Sequence, residues 1–231
     1  MGWREQAKKR AALEAVKHVK DGFILGLGSG STAAYAIEEV GKKIKRDGLR
    51  VSGVPTSHQA FKLAVRHGIL TTTLDEHPKI DLAIDGADQI DTKLNLIKGM
   101  GGALLREKIV ASAAKQFIVV ADETKLTQKL GTEHPVPMEV LPFASATVTS
   151  ELKRMGEKAV LRESKGKIGP IVTDNGNFIL DVNFGPISNP KELNLKLKSV
   201  PGVIETGLFV DMADIVYVGR KTTVQKLERT T

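Results

Sequence analysis

Between Arg4 and Lys20 the apolar and small residues Ala7, Ala11, Leu13, Ala15, Val16 and Val19 recur at three- and four-residue spacings, which predicts a helix over residues 4–20 with one broad apolar face. The period then shortens. FILGLG, from Phe23 to Gly28, is a brief apolar run that stops at glycine and hydroxyl residues, the pattern of a buried strand. From Ser31 to about Arg46 the helical spacing returns, with Ser or Thr at its start as a cap. LRVSGVPTS predicts a strand, HQAFKLAVRHG a helix, and ILTTTL and KIDLAID two further strands. A glycine-rich turn then leads into a helix carrying Glu107, and QFIVVAD is again a strand.

Strands alternating with helices in this way predict an α/β fold, a mostly parallel sheet with helices on both faces in a Rossmann-like arrangement. After Gly131 the texture changes. Pro135, Pro137 and Pro142 cluster, and then VPMEVL, TVTSELKRM, KAVLRES, the hairpin-like IVTDNGNFILDV, PKELNLKLKS and VIETGLFV give the order βαββαβ. That order predicts a smaller inserted α+β domain, ferredoxin-like, over residues 131–206. The apolar run DIVYVG reads as a strand that returns to the first sheet, so the catalytic α/β domain is expected over 1–130 and 207–231.

Composition narrows the function. The 231 residues, 41% of them apolar, can fill a large α/β core with a smaller domain attached. With no cysteine, a disulfide framework, a thiolate metal site and a cysteine nucleophile are excluded. No apolar run approaches the roughly 18 residues of a membrane span, and the charged N-terminal stretch does not resemble a leader, so a cytoplasmic, soluble protein without a membrane partner is expected. The net charge of +7 favours an anionic ligand, while aromatics at only 4% leave few stacking platforms for nucleic acid. A small phosphorylated molecule is the expectation.

In an open parallel sheet, ligands collect beyond the carboxyl ends of the strands. Here those ends read GLGSGST, PTS, DGAD and ADETK. Gly30 with Ser29, Ser31 and Thr32 opens a helix, and free amides, a positive helix end and hydroxyls together suit a phosphate, although a tight capped turn would look the same. No GK[ST] follows, and no acidic residue ends the second strand, so neither a Walker loop nor a dinucleotide site is expected. Asp85 and Asp88 stand right after a strand, where they suit sugar hydroxyls or acid–base chemistry as well as an ordinary Asx turn; Asp91 reads as a loop or cap residue.

KGMGGALLREK raises the sharpest question. Glu107 has Ala103, Leu104, Val110 and Ala111 at three and four positions either side, with no Lys or Arg among them to pair with it. A carboxylate on an apolar stripe either faces a cleft or is a buried charge paired from another element, and partial desolvation raises its pKa toward that of a general base. Lys98 and Lys125 are placed to supply a pairing cation, hold a phosphate or stabilise an oxyanion. The five histidines form no ligand-spaced pair, so no metal site is expected, and no GxSxG elbow is present.

GLGSGSTA, DGADQID, KGMGGALLREK, ADETK and PGVIETGLF, in this order and through essentially the whole chain, resemble the ribose-5-phosphate isomerases of the A type. The resemblance implies that Ser29, Gly30, Ser31 and Thr32 contact a sugar phosphate, that Asp85, Gly86, Ala87 and Asp88 line the sugar site, and that Lys98, Gly99, Met100 and Gly101 form its next wall. It implies Glu107 as proton acceptor and Lys125 as a substrate contact, with Asp85, Asp88 and Lys98 assisting. The reaction would interconvert D-ribose 5-phosphate and D-ribulose 5-phosphate through a cis-enediolate, without a cofactor, in a homodimer or homotetramer. Where the family commonly carries three glycines after the lysine, this chain has Met100 between Gly99 and Gly101, so its side chain must face away from the sugar or one backbone donor is lost. A non-catalytic sugar-phosphate sensor of related fold and a coenzyme A transferase relative are the competing readings. The first would want an attached DNA-binding segment, the second a nucleophilic glutamate.

Overall fold

Short apolar runs that end in glycine or aspartate are suited to a sheet buried on both faces. The computed structural model, which describes residues 2–164, 166 and 168–229, folds them into two units. The first comprises residues up to Ala87, Arg106–Lys125 and the chain from Met212 onward. Its strands are β1 (Ile24–Leu27), β2 (Ser52–Pro55), β3 (Leu70–Thr71), β4 (Leu82–Asp85), β7 (Phe117–Asp122), β13 (Ile215–Gly219) and β14 (Val224–Glu228), numbered in chain order through the molecule. They form one seven-stranded sheet in the order β14-β13-β7-β4-β1-β2-β3, parallel throughout except for the β13–β14 pair.

Helices cover both faces. Leu25 and Leu27 of β1 share a core with Ala11 and Ala15 of α1 (Trp3–Val16), Ile37 and Val40 of α2 (Gly30–Asp47) and Ala60 and Ala64 of α3 (His58–His67). Side chains alternate along a strand, so Gly26 faces the other way. There a Cβ on Gly26 would lie 2.5 Å from Val110 of α4 (Leu104–Ala113) and 2.8 Å from Ala83, so the missing side chain is what lets α4 lie directly on the sheet. The amide of Ile80, just before β4, donates to Ala113 O at 2.9 Å, which anchors the last turn of α4 at the amino end of the strand. The helix therefore runs antiparallel to β4, and its first turns lie toward the carboxyl ends. Glu107 is carried there by the fold.

The second unit comprises Asp88–Leu105 and Leu126–Asp211. Its strands β8 (Val136–Val140), β9 (Lys158–Leu161), β10 (Phe178–Asn183) and β11 (Val203–Thr206) alternate with α5 (Ser145–Arg154) and α6 (Pro190–Lys198) in the expected βαββαβ sequence. The strands pair antiparallel in the order β11-β8-β10-β9. A three-stranded sheet, β12-β6-β5, completes the unit from β5 (Gln89–Ile90), β6 (Leu96–Ile97) and β12 (Leu208–Phe209).

Several expectations need correction. The boundaries at 131 and 206 fall instead at 88–105 and 126–211, because β12 pairs with β6 and the amide of Thr127 donates to Ile90 O, tying three stretches into one unit. VIETGLFV is two strands in two sheets, split at Gly207. The first arm of IVTDNGNFILDV forms only the bridge Val172↔Phe178; Thr173, Asn175 and Asn177 instead turn their side chains onto the buried Glu139 carboxylate. α1 stops at Val16, four residues early, and passes into tight turns that keep Val19 buried. β14 had no alternation strong enough to be anticipated. Among the described residues, no helix is long and apolar enough to cross a membrane.

Candidate active site

The first unit gathers the polar strand ends GLGSGST, PTS and ADETK, and DGAD as far as Ala87. Ser29 is the N-cap of α2 by position, yet its side chain makes no cap hydrogen bond. Its hydroxyl lies 2.7 Å from Thr56 Oγ1 and donates to Ser57 Oγ at 2.6 Å, so the loops after β1 and β2 are tied together. Gly30, the first residue of the helix, already donates its amide to Gln59, while the other first-turn amides of a helix have no acceptor within it. Ser31 and Thr32 add hydroxyls at the same point, and the Lys8 ammonium of α1 donates to Ser31 Oγ at 3.1 Å. Glu5 receives the same lysine at 2.8 Å, and that bond, followed by one from Tyr35, holds the Glu5 carboxyl below its ordinary range. The result is an amide-rich helix start with a cation beside it, the environment a phosphate requires.

Asp85 ends β4 and is 3% exposed. Its Oδ1 accepts the amides of Ser29 at 3.0 Å and Gly86 at 2.7 Å, so one carboxylate oxygen fixes both the first loop and its own. A short 3₁₀ turn, Glu123–Lys125, follows β7 and presents the partly buried Lys125; Asp122 shapes it by accepting from the amide and hydroxyl of Thr124. Glu107 is 6% exposed on the first turns of α4, on the face whose Leu104 and Val110 are buried. A carboxylate so enclosed is costly unless it has a task or a partner.

The second unit carries the glycine turn. Lys98 is 2% exposed, with its ammonium 5.5 Å from the centre of the Phe209 ring and its amide donating to Gly207 O at 2.9 Å. Gly99 and Gly102 have φ of 101° and 78°, values that side chains rarely adopt, and a Cβ on Gly99 would fall 2.7 Å from Leu104. Met100 needs no such freedom. Its φ is not positive, its side chain is exposed, and its amide donates to Asp88 Oδ2 at 3.0 Å. The turn therefore requires glycine at 99 and 102 and not at Met100.

Of the residues singled out in the sequence, Ser29, Gly30, Ser31, Thr32, Asp85, Gly86, Ala87, Glu107 and Lys125 belong to the first unit, and Asp88, Lys98, Gly99, Met100 and Gly101 to the second. Asp91, read as a cap, accepts the amides of Lys93 and Asn95 in the β5–β6 turn. Lys8 was missed because nothing in its helix marks it; only the packing of α1 beside α2 brings it to Ser31. Gln59 was missed likewise, and its Oε1 accepts the Gly30 amide at 2.9 Å.

Comparison with known proteins agrees with the motifs. Residues 52–223 match the family model described as ribose 5-phosphate isomerase A, or phosphoriboisomerase A. Ribose-5-phosphate isomerase A of Methanothermobacter thermautotrophicus is 50% identical over 212 residues, spanning 92% of this chain and 93% of the relative. That of Thermosynechococcus vestitus is 51% identical over 216 residues, 93% of this chain and 92% of the relative. Among solved structures, a D-ribose-5-phosphate isomerase in complex with phospho-erythronic acid superposes with a TM-score of 0.96 at 49% identity, covering 99% of this chain and 100% of that one. Ribose 5-phosphate isomerase A of Methanocaldococcus jannaschii gives 0.94 at 47%, covering 97% and 99%.

Proposed function

Because this chain belongs to the ribose 5-phosphate isomerase A family of isomerases, we propose that it interconverts D-ribose 5-phosphate and D-ribulose 5-phosphate with Glu107 as general base, in the non-oxidative branch of the pentose phosphate pathway. The observation that carries this reading is the enclosed Glu107 carboxylate, held by α4 in the same unit as the amide-rich start of α2. One binds the phosphate; the other moves the proton.

The substrate phosphate accepts hydrogen bonds from the first-turn amides of α2, the hydroxyls of Ser31 and Thr32, and the Lys8 ammonium, with Lys125 as a further cation. Asp85 or Asp88 assists opening of the furanose ring by taking the proton of the anomeric hydroxyl as the bond from carbon 1 to the ring oxygen breaks and that oxygen takes up a proton. Glu107 then removes the proton from carbon 2 of the open aldose. The electron pair moves into the carbon 1–carbon 2 bond, and the carbonyl oxygen takes up negative charge. Lys98 and the amides of the glycine turn stabilise that oxygen, the proton of the carbon 2 hydroxyl passes to it within the cis-enediolate, and the protonated Glu107 returns its proton to carbon 1 as the carbonyl forms at carbon 2. No oxidant or reductant enters this balance, since one carbon loses the hydrogen pair that the other gains.

The test is formation of ribulose 5-phosphate from ribose 5-phosphate by the purified chain, with a chelator present. Turnover supports the reading, whereas tight binding without conversion would favour a sensor. In the same assay Lys8→Met is expected to raise KM about tenfold with a smaller change in kcat, because the phosphate does not react and its contacts act alike on ground and transition states. A Lys8→Met variant with parental KM would remove Lys8 from the phosphate site.

A further inference from the structure

Arg162 lies just beyond β9, in the stretch KAVLRES but outside every candidate site motif, and its side chain is only 11% exposed. Its backbone is fixed on both sides, with its amide donating to Ile179 O at 2.8 Å and its carbonyl accepting from Ile171 at 2.9 Å. The guanidinium is divided between two tasks. Nε and Nη2 donate to the two carboxylate oxygens of Asp181 on β10, while Nη1 donates to Gly99 O at 3.0 Å and Met100 O at 2.9 Å. A largely enclosed ion pair is a poor source of stability, since desolvation cancels much of the attraction, so the second task is the informative one.

Peptide planarity turns those two bonds into a statement about amides. In a trans peptide the C=O of one residue and the N–H of the next point in opposite directions, and the described chain has no cis bond. Holding Gly99 O on Arg162 turns the Met100 amide away, and that amide meets Asp88 Oδ2 at 3.0 Å. Holding Met100 O on the same nitrogen turns the Gly101 amide away in the same sense. A turn flanked by two positive-φ glycines would otherwise be free to flip these peptide units.

We propose that Arg162, clamped by Asp181, is a positioning residue that presets the peptide planes of the glycine turn, so that the Gly101 amide donates to the enediolate oxygen and the Met100 amide holds Asp88. This rests on the isomerase reading above. A donor preset before charge develops stabilises the transition state more than the substrate. Lysine cannot replace the arginine, because a single ammonium cannot grip a carboxylate in the plane of a fork and reach two carbonyls as well.

The experiment compares the parent chain with Arg162→Lys and Arg162→Met for kcat, KM and inhibition by phospho-erythronate, whose planar, charged carboxylate resembles the enediolate. Both variants are expected to lose about 10²-fold in kcat with KM within about threefold, and phospho-erythronate should weaken in step with kcat/KM. Parental kcat and inhibitor affinity in Arg162→Lys would overturn the proposal. So would equal weakening of substrate and inhibitor together with a lowered unfolding midpoint, the signature of a merely structural pair. Should Arg162→Met fail to fold, Arg162→Lys decides alone. An inactive parent would instead sink the isomerase reading, and this proposal with it, before any variant is compared.

Discussion

Glu107→Gln is expected to lower kcat by about 10³-fold while KM for ribose 5-phosphate stays within about threefold. The amide keeps the volume and most of the hydrogen-bonding capacity of the carboxylate, so the burial of α4 is undisturbed. What it lacks is basicity, and only the proton transfers at carbons 1 and 2 require that. The check is steady-state turnover alongside exchange of solvent deuterium into the recovered substrate. Both should fall together, because enolisation and exchange share the same base. A variant that keeps a tenth of parental turnover, or that exchanges deuterium at the parental rate, would remove Glu107 from the chemistry.

Lys98→Met should be the second most damaging change, with kcat lowered by about 10²-fold. Methionine matches the lysine stem in length and suits the apolar surroundings, the Phe209 ring among them, so the substitution removes charge more than shape. An ammonium that is 2% exposed acts at low local dielectric, where a developing negative charge is stabilised far more than at the surface. Phospho-erythronate affinity should fall with kcat/KM, while unfolding stays cooperative. Unchanged inhibitor affinity would mean that Lys98 serves the second unit's core and not the oxyanion.

The reach of the sequence follows how local each feature is. β1, β4 and β7 were readable because each is a run of apolar residues ending in a polar turn, and Glu107 because it is a carboxylate on an apolar face of its own helix. The βαββαβ order of the second unit was readable for the same reason. β5, β6 and β12 were not, since two-residue strands carry no period and are defined only by partners far along the chain. Lys8 and Arg162 escaped because a cation gains meaning from what it touches; one meets Ser31 across a helix pair, the other two carbonyls of a turn more than sixty positions away. Met100 looked like a defect in a glycine run, and only the backbone angles show that the strained positions lie beside it.

The place of β13 sets a timetable for synthesis. All six residues of β7 are buried, and one of its edges is covered by β13, a parallel partner that follows residues 126–211 in the chain. During translation Phe117–Asp122 therefore emerges long before the strand that shields it, leaving the apolar run FIVVA with an unpaired rim. The second unit, whose last strand pairs back to residues 96–97, is completed in that interval. A late step for the nascent chain is thus a long-range parallel pairing, of the kind that folds slowly and is open to aggregation until it is made.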